Sequence, residues 1–129
     1  ICYGMQALNV FRGGTLIQDI ESQVPKCIRH EQGIPLERNS NYLDFEEESK
    51  LFGGKITYGI RVNSHHHQAV GKIGKDLLAT AWAKDEVIEC IEDSRDDRFI
   101  VGVQWHPELN WKTDDLSRNI FETFIEKCK

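Results

Sequence analysis

Hydrophobic residues recur with helical spacing near both ends of the chain. Met5, Leu8 and Phe11 fall on one side of a predicted helix over residues 5–12, and Gly13-Gly14 would end it. A second apolar stripe, after an N-cap at Thr113 or Asp114, predicts a carboxyl-terminal helix. The stripe consists of Leu116, Ile120, Phe121, Phe124, Ile125 and Cys128. We expect it, Cys128 included, to face the core.

Between these helices the pattern is typical of strands. Residues 77–83 ("LLATAWA") and 87–92 ("VIECIE") predict two short strands joined by a hairpin. Alternating apolar and polar residues over 58–62 predict another strand. Residues 15–17 could form a short strand or a turn. The nearly continuous apolar run 99–104 ("FIVGVQ") is typical of a strand covered on both faces.

The remaining segments are polar. Residues 18–41 are broken by two prolines and a glycine, which predicts mostly loop. Residues 44–52 predict a short acidic helix ended by Gly53-Gly54. The order of a strand followed by a helix at both ends of the chain favours an α/β sheet with helices packed against it. Only one predicted strand has the apolar pattern of a central strand, which is too few for a self-sufficient doubly wound sheet.

Composition narrows the class of protein. The 129 residues suit one soluble domain, and the net charge of −5 gives no basic surface for nucleic acid or anionic lipid. No apolar run approaches the roughly 18 residues of a membrane span, and no signal peptide is visible. Four cysteines without a C-x-x-C pair predict a reducing, cytoplasmic location. No phosphate loop or dinucleotide fingerprint appears, so we expect no cofactor.

The first residues hold candidate chemistry. Cys2 stands between a predicted strand end and a helix start, where the helix dipole would lower the pKa of its thiol. Gly4 supplies the second glycine of a nucleophile-elbow pattern; the first would precede Ile1. The chain has no initiator Met, so we expect it to be processed, truncated or one piece of a longer protein. The alternative for Cys2 is an ordinary buried thiol.

A second candidate follows the buried strand, in "VGVQWHPE". Proline after His106 favours an extended backbone there, which would place His106 and Glu108 on one side. A carboxylate beside an imidazole fixes its tautomer and stabilises its protonated form. The alternative is a surface turn that carries a histidine and a glutamate.

Four segments together resemble the class I glutamine amidotransferase-like family, and within it the γ-glutamyl hydrolase (peptidase C26) branch. They are "ICYGMQALNVFRGGTLIQDI", "VNSHHHQAV", "VIECIE" and "FIVGVQWHPE". The resemblance implies the carboxyl-terminal half of a flavodoxin-like α/β fold with a small antiparallel strand pair. Residues 1–129 would then be a partial domain that lacks its amino-terminal half.

The resemblance also implies roles for individual residues. Cys2 matches the nucleophile, His106 the general base and acid, and Glu108 the residue that orients it. The resemblance assigns five further residues to the oxyanion and substrate region: Tyr3, through its backbone N–H, Gly4, Gln6, Ser64 and His65. The position of His65 is variable in relatives, while His66, His67 and Gln68 match. Relatives often carry Arg where this chain has Tyr3, but the role needed there belongs to the backbone.

The implied reaction is hydrolysis of a γ-glutamyl amide through a thioester, with a small γ-glutamyl compound as substrate. Two alternatives remain open: the glutaminase subunit of an amidotransferase, and an inactive split-gene remnant that needs its other half as a partner. On this interpretation we do not expect the chain to be active alone. His65-His66-His67 has no acid or cysteine at ligand spacing, so we expect no metal.

Overall fold

The computed structural model describes residues 1–51 and 59–129. Three α-helices are present in these ranges: α1 (Tyr3–Phe11), α2 (Ile20–Gln23) and α3 (Asp115–Lys127). A 3₁₀ turn occupies Pro107–Leu109. The strands are β1 (Leu16–Ile17), β2 (Asn41–Phe45), β3 (Ile60–Val62), β4 (Ala69–Val70), β5 (Leu77–Ala83), β6 (Ile88–Asp93) and β7 (Val101–Val103).

The seven described strands form one sheet in the order β1-β4-β6-β5-β2-β3, with β7 also paired to β6. Each pairing is antiparallel. Because β5 occupies one edge of β6, both β4 and β7 lie along its other edge. The hairpin between β5 and β6 matches the predicted strand pair, but the antiparallel sheet extends well beyond it.

Strand β6 is covered on both faces. Cys90 belongs to a large apolar cluster with Leu43, Val103 and Trp105, against which Leu116 and Ile120 of α3 pack. Ile91 points to the opposite side and packs with Met5 of α1, Val70 and Leu77. The sheet is therefore held between α1 on one face and the first turns of α3 on the other.

The first predicted helix and the hairpin are confirmed, but the acidic helix over residues 44–52 is wrong. Strand β2 runs through Phe45, where it pairs with β3 and β5. Leu43 is buried while Tyr42 and Asp44 are exposed, so burial alternates with the period of a strand. Residues 52–54 and 58 of the predictions lie outside the described residues.

Helix α3 starts as predicted but does not bury its whole stripe. The Asp114 side chain accepts a hydrogen bond from the Ser117 N–H at 2.8 Å, which makes Asp114 the N-cap. Phe124 and Ile125 are 58% and 57% exposed, and Cys128 is exposed too, so its expected core position is wrong. Only the first turns of α3 reach the core cluster, and nothing in the described ranges covers the last ones.

Within residues 1–51 and 59–129, no helix combines the length and the apolar character that a membrane crossing demands.

Candidate active site

Cys2 occupies a strained turn directly before α1. Its backbone angles are φ 45° and ψ −106°, a combination that a residue with a Cβ rarely adopts. Two short hydrogen bonds hold the turn: the Cys2 N–H donates to the Val103 carbonyl at 2.7 Å, and the Gly4 N–H to the Ile1 carbonyl at 2.8 Å. The turn thus attaches the start of α1 to the end of β7.

The Cys2 sulfur is half-buried and has polar neighbours. The Gln104 side-chain amide lies 3.3 Å from it, and the Tyr3 backbone N–H also donates to it. Burial nevertheless raises the pKa of the Cys2 thiol, and these two donors offset the effect only in part. The lowered pKa expected for this thiol is therefore wrong, because desolvation outweighs the hydrogen bonds that favour the thiolate.

His106 and Glu108 form a close pair, as the spacing around Pro107 predicts. The His106 Nδ1 and the Glu108 Oε1 are 2.6 Å apart. A carboxylate in this position selects the tautomer with the proton on Nδ1, which leaves a lone pair on Nε2. The pair can therefore accept a proton at Nε2 and stabilise the resulting charge.

Asn63 fixes the backbone that carries this pair. Its side chain accepts from the His106 N–H and donates to the His106 carbonyl, both at 2.8 Å, and it is fully buried. Sequence reasoning missed Asn63 and also Gln104. Both stand inside the family-like motifs, at "VNS" and "VQWHPE", but a buried amide is visible only when its distant partner is known.

The segment after β7 connects the two candidates. Val103 and Gln104 contact the backbone and sulfur of Cys2, and His106 follows two residues later. The structure therefore brings the Cys2 turn against the segment that bears His106 and Glu108.

The residues expected to bind substrate differ in their exposure and in their hydrogen-bond partners. Both amide hydrogens of Gln6 are used within the protein, by the Gln68 carbonyl at 3.0 Å and the Gln104 side chain at 3.1 Å. The Tyr3 side chain is 81% exposed. A Cβ on Gly4 would meet no described atom within 4 Å, so no contact in residues 1–51 and 59–129 explains this glycine.

Ser64 and His65 diverge although they are neighbours. Ser64 is fully buried, and its hydroxyl donates to the His30 carbonyl at 2.8 Å. His65 instead lies edge-on to the His106 ring, with 6.1 Å between ring centroids. The structure thus brings His65 to the candidate site and uses Ser64 in a loop contact.

The fold is shared with a solved glutamine amidotransferase of Thermotoga maritima, with a TM-score of 0.58 at 15% identity, over 98% of this chain and 46% of that one. A Thermoplasma acidophilum protein described as a GMP synthase subunit has a similar structure, with a TM-score of 0.69 at 20% identity, over 98% of this chain and 54% of that one. The likeness confirms the predicted fold class.

The model of the Peptidase C26 family matches residues 1–108, and the chain belongs to that family. It is 39% identical to the glutamine amidotransferase-like protein YvdE of Lactococcus lactis, over 96% of this chain and 51% of that protein. It is 32% identical to the γ-glutamyl-γ-aminobutyrate hydrolase PuuD of Escherichia coli, over all of this chain and 52% of that enzyme. The chain therefore spans about half the length of these relatives.

Proposed function

We propose that this chain carries the catalytic residues of a cysteine hydrolase that cleaves γ-glutamyl amide bonds. The observation that carries the proposal is the attachment of the Cys2 turn to Val103 and Gln104, next to the His106–Glu108 pair. Membership of the Peptidase C26 family and the likeness to a γ-glutamyl-γ-aminobutyrate hydrolase support the choice of bond.

In the proposed first half-reaction, the His106 Nε2 takes the proton of the Cys2 thiol. The sulfur then attacks the γ-carbonyl carbon of the substrate. The Tyr3 backbone N–H donates to the oxygen that becomes negative. The C–N bond breaks, the leaving amine takes the proton back from His106, and a γ-glutamyl thioester remains on Cys2.

In the second half-reaction, water gives a proton to His106 and its oxygen attacks the thioester carbon. The C–S bond breaks, glutamate leaves, and the proton returns to the sulfur. Glu108 stabilises the His106 imidazolium in both halves through its contact with Nδ1.

The raised pKa of the Cys2 thiol explains why the proposed reaction uses His106 as a general base. Burial keeps the sulfur largely as a thiol near neutral pH, so a neighbouring base must remove its proton during the attack. A positioned general base is worth about 10²–10⁴ in rate. We expect His106→Gln to lower turnover by that factor, and Glu108→Gln by a smaller one.

A specific observation favours dependence on the other half of the domain. An apolar groove of about 490 Å³ lies between β7 and α3 and is lined by Ile1, Phe99, Ile100, Val101, Val103, Ile120, Phe121 and Phe124. Because the chain covers about half of its relatives, we propose that this groove receives the other half of the domain. We expect residues 1–129 to be inactive without that half.

The test combines the chain with a polypeptide that covers the remaining half of YvdE. A glutamine-like diazoketone should alkylate Cys2, with the modified residue located by mass spectrometry of peptides. Cys2→Ser should remove the adduct, and Cys128→Ser, at an exposed thiol, should keep it. An unmodified Cys2 in the reconstituted protein would refute the proposed nucleophile. Glutaminase turnover that rises only when a synthetase is added would favour an amidotransferase component instead.

A further inference from the structure

Three buried titratable side chains, which the proposed hydrolysis does not use, lie close together in the described part of the chain. His30 comes from the long loop after α2, His66 from the "HHH" run and Glu89 from β6. Their side chains are 2%, 3% and 0% exposed. One Glu89 oxygen lies 3.3 Å from the His30 Nδ1 and 3.3 Å from the His66 Nε2. One ligand atom from each residue can be chosen so that all three lie within 4.8 Å of one another.

The outer ring nitrogens determine the protonation of the inner ones. The His66 Nδ1 is 2.8 Å from the Gln68 carbonyl, which can only accept, so this nitrogen carries a proton. The His30 Nε2 is 2.8 Å from the Asp85 carboxylate, which also accepts. In the neutral rings, the His30 Nδ1 and the His66 Nε2 therefore present lone pairs to the Glu89 carboxylate.

This arrangement is electrostatically incomplete. The His30 Nδ1 and the Glu89 Oε2 are buried and have no hydrogen-bond partner. A buried polar group without a partner is destabilising, and a charged one is more so. Lone pairs that face a carboxylate are satisfied by a positive species between them, either a metal ion or a proton on the ring nitrogen, and the 3.3 Å contact of the His66 Nε2 with Glu89 accommodates both.

We propose that His30, His66 and Glu89 bind a divalent cation, with zinc as the ion that best fits two imidazoles and one carboxylate. Ligand atoms about 2.0–2.1 Å from a tetrahedral zinc lie about 3.3 Å apart, which matches the two spacings at Glu89. The two charges of the ion balance Glu89 and Asp85.

The surroundings suit such an ion. Metal-bound histidines commonly donate their second N–H to a carboxylate or a backbone carbonyl, as His30 does to Asp85 and His66 to Gln68. A cavity of about 190 Å³ adjoins the cluster and is lined by both imidazoles, which gives room for water as a fourth ligand. The ion would anchor the segment that holds Ser64 and His65, independently of the proposed hydrolysis.

Protons are the rival occupants. Burial disfavours a charged His30, but the Glu89 and Asp85 carboxylates outweigh it and raise the His30 pKa. A doubly protonated imidazole would fill the same gap without any metal. The two occupants are distinguished by the effect of added zinc: only a bound metal ion makes the stability of the chain depend on the zinc concentration.

The experiment is zinc titration of the metal-stripped chain, followed by calorimetry and thermal unfolding. We expect one ion per chain and a rise in Tm of several degrees at free zinc about a hundredfold above Kd. Glu89→Gln should abolish both, because its amide donates to a lone pair and removes the negative ligand. His67→Gln is the matched control: His67 is exposed and near Asp19, and its loss should leave zinc binding unchanged.

Crystals of the unaltered chain grown with zinc provide a readout that does not depend on the folding of a variant. An anomalous peak between the His30 Nδ1, the His66 Nε2 and Glu89 would support the site. Zinc that binds only at His67, binding that survives Glu89→Gln, or no zinc-dependent change in Tm would each overturn it.

Discussion

At the residue scale, Cys2 combines backbone strain with a desolvated sulfur. Its positive φ is tolerated because the Val103 carbonyl and the start of α1 hold the turn from both sides. Strain of this kind costs about 1–3 kcal/mol and concentrates at functional sites. The turn therefore stores a measurable energy that a glycine would release.

Replacement of Cys2 tests this directly. Cys2→Gly should be more stable than Cys2→Ala by roughly 1 kcal/mol, because glycine adopts the turn without strain while both variants lack the sulfur. Urea unfolding of the two variants measures the difference. Equal stabilities, or a more stable alanine variant, would show that the turn is unstrained.

The buried thiol of Cys90 should make the free energy of unfolding depend on pH in the alkaline range. Burial, with a smaller contribution from Glu92, raises the pKa of this thiol far above its usual range. The folded state therefore keeps the proton that the unfolded state loses near pH 8.5. The stabilisation is fully present below that pH and is lost as the pH rises, by up to about 1.4 kcal/mol per pH unit.

The measurement is the free energy of unfolding between pH 7 and pH 10. Cys2 contributes in the same direction, since its pKa is raised as well. Cys90→Ala should reduce the slope, while Cys128→Ala, at an exposed thiol, should not. A slope that Cys90→Ala leaves unchanged would contradict the assignment.

At the element scale, Asn9 joins α1 to the loop between β4 and β5. Its side chain donates to the Thr15 and Lys72 carbonyls, both at 3.0 Å, and accepts from the Gly74 N–H at 2.8 Å. A Cβ on Gly74 would lie 2.7 Å from the Asn9 carbonyl oxygen. The close approach of helix and loop therefore requires glycine at that position.

Gly74→Ala should consequently lower the free energy of unfolding by about 1–3 kcal/mol, the usual cost of overpacking. Chemical denaturation measures it, with Lys75→Ala at the exposed neighbouring position as the control, expected within about 0.5 kcal/mol of the parent. A Gly74→Ala variant as stable as the control would mean that α1 can move away at no cost.

Prediction from sequence succeeded where a signal was local. The period of α1, the Asp114 cap, the hairpin and the His106–Glu108 spacing all lie within a few residues. The error at residues 44–52 arose because the acidic run was taken for a helix, while the strand β2 that overlaps its start has its buried position at Leu43, just before residue 44. The partners of Asn63 and of Glu89 are distant in sequence, so only the folded chain brings them together.

At the scale of the whole molecule, α3 and β7 leave an apolar surface unpartnered within the described residues. Phe124 is 58% exposed at the edge of the groove proposed to receive the other half of the domain. Exposed aromatic surface next to a strand edge is typical of an interface.

Phe124→Asp should therefore leave the free energy of unfolding of the isolated chain within about 0.5 kcal/mol of the parent. It should weaken association with the complementary half at least about tenfold, because it buries a charge in an apolar contact. Calorimetric titration measures the affinity, with Glu122→Ala as an exposed control on the same helix. Undiminished affinity of Phe124→Asp would exclude the groove as the docking surface.

Gln104 contacts both the candidate nucleophile, Cys2, and strand β6, which carries Glu89 of the His30–His66–Glu89 cluster. Its backbone N–H donates to the Glu89 carbonyl at 2.8 Å, while its side-chain amide reaches the Cys2 sulfur. Isotope labelling of Gln104 therefore supplies two NMR probes. The backbone amide resonance should report what occupies the His30–His66–Glu89 cluster, and the side-chain amide resonances should report alkylation of Cys2. A shift of the backbone resonance on alkylation, or of the side-chain resonances on zinc binding, would measure the coupling between the two sites.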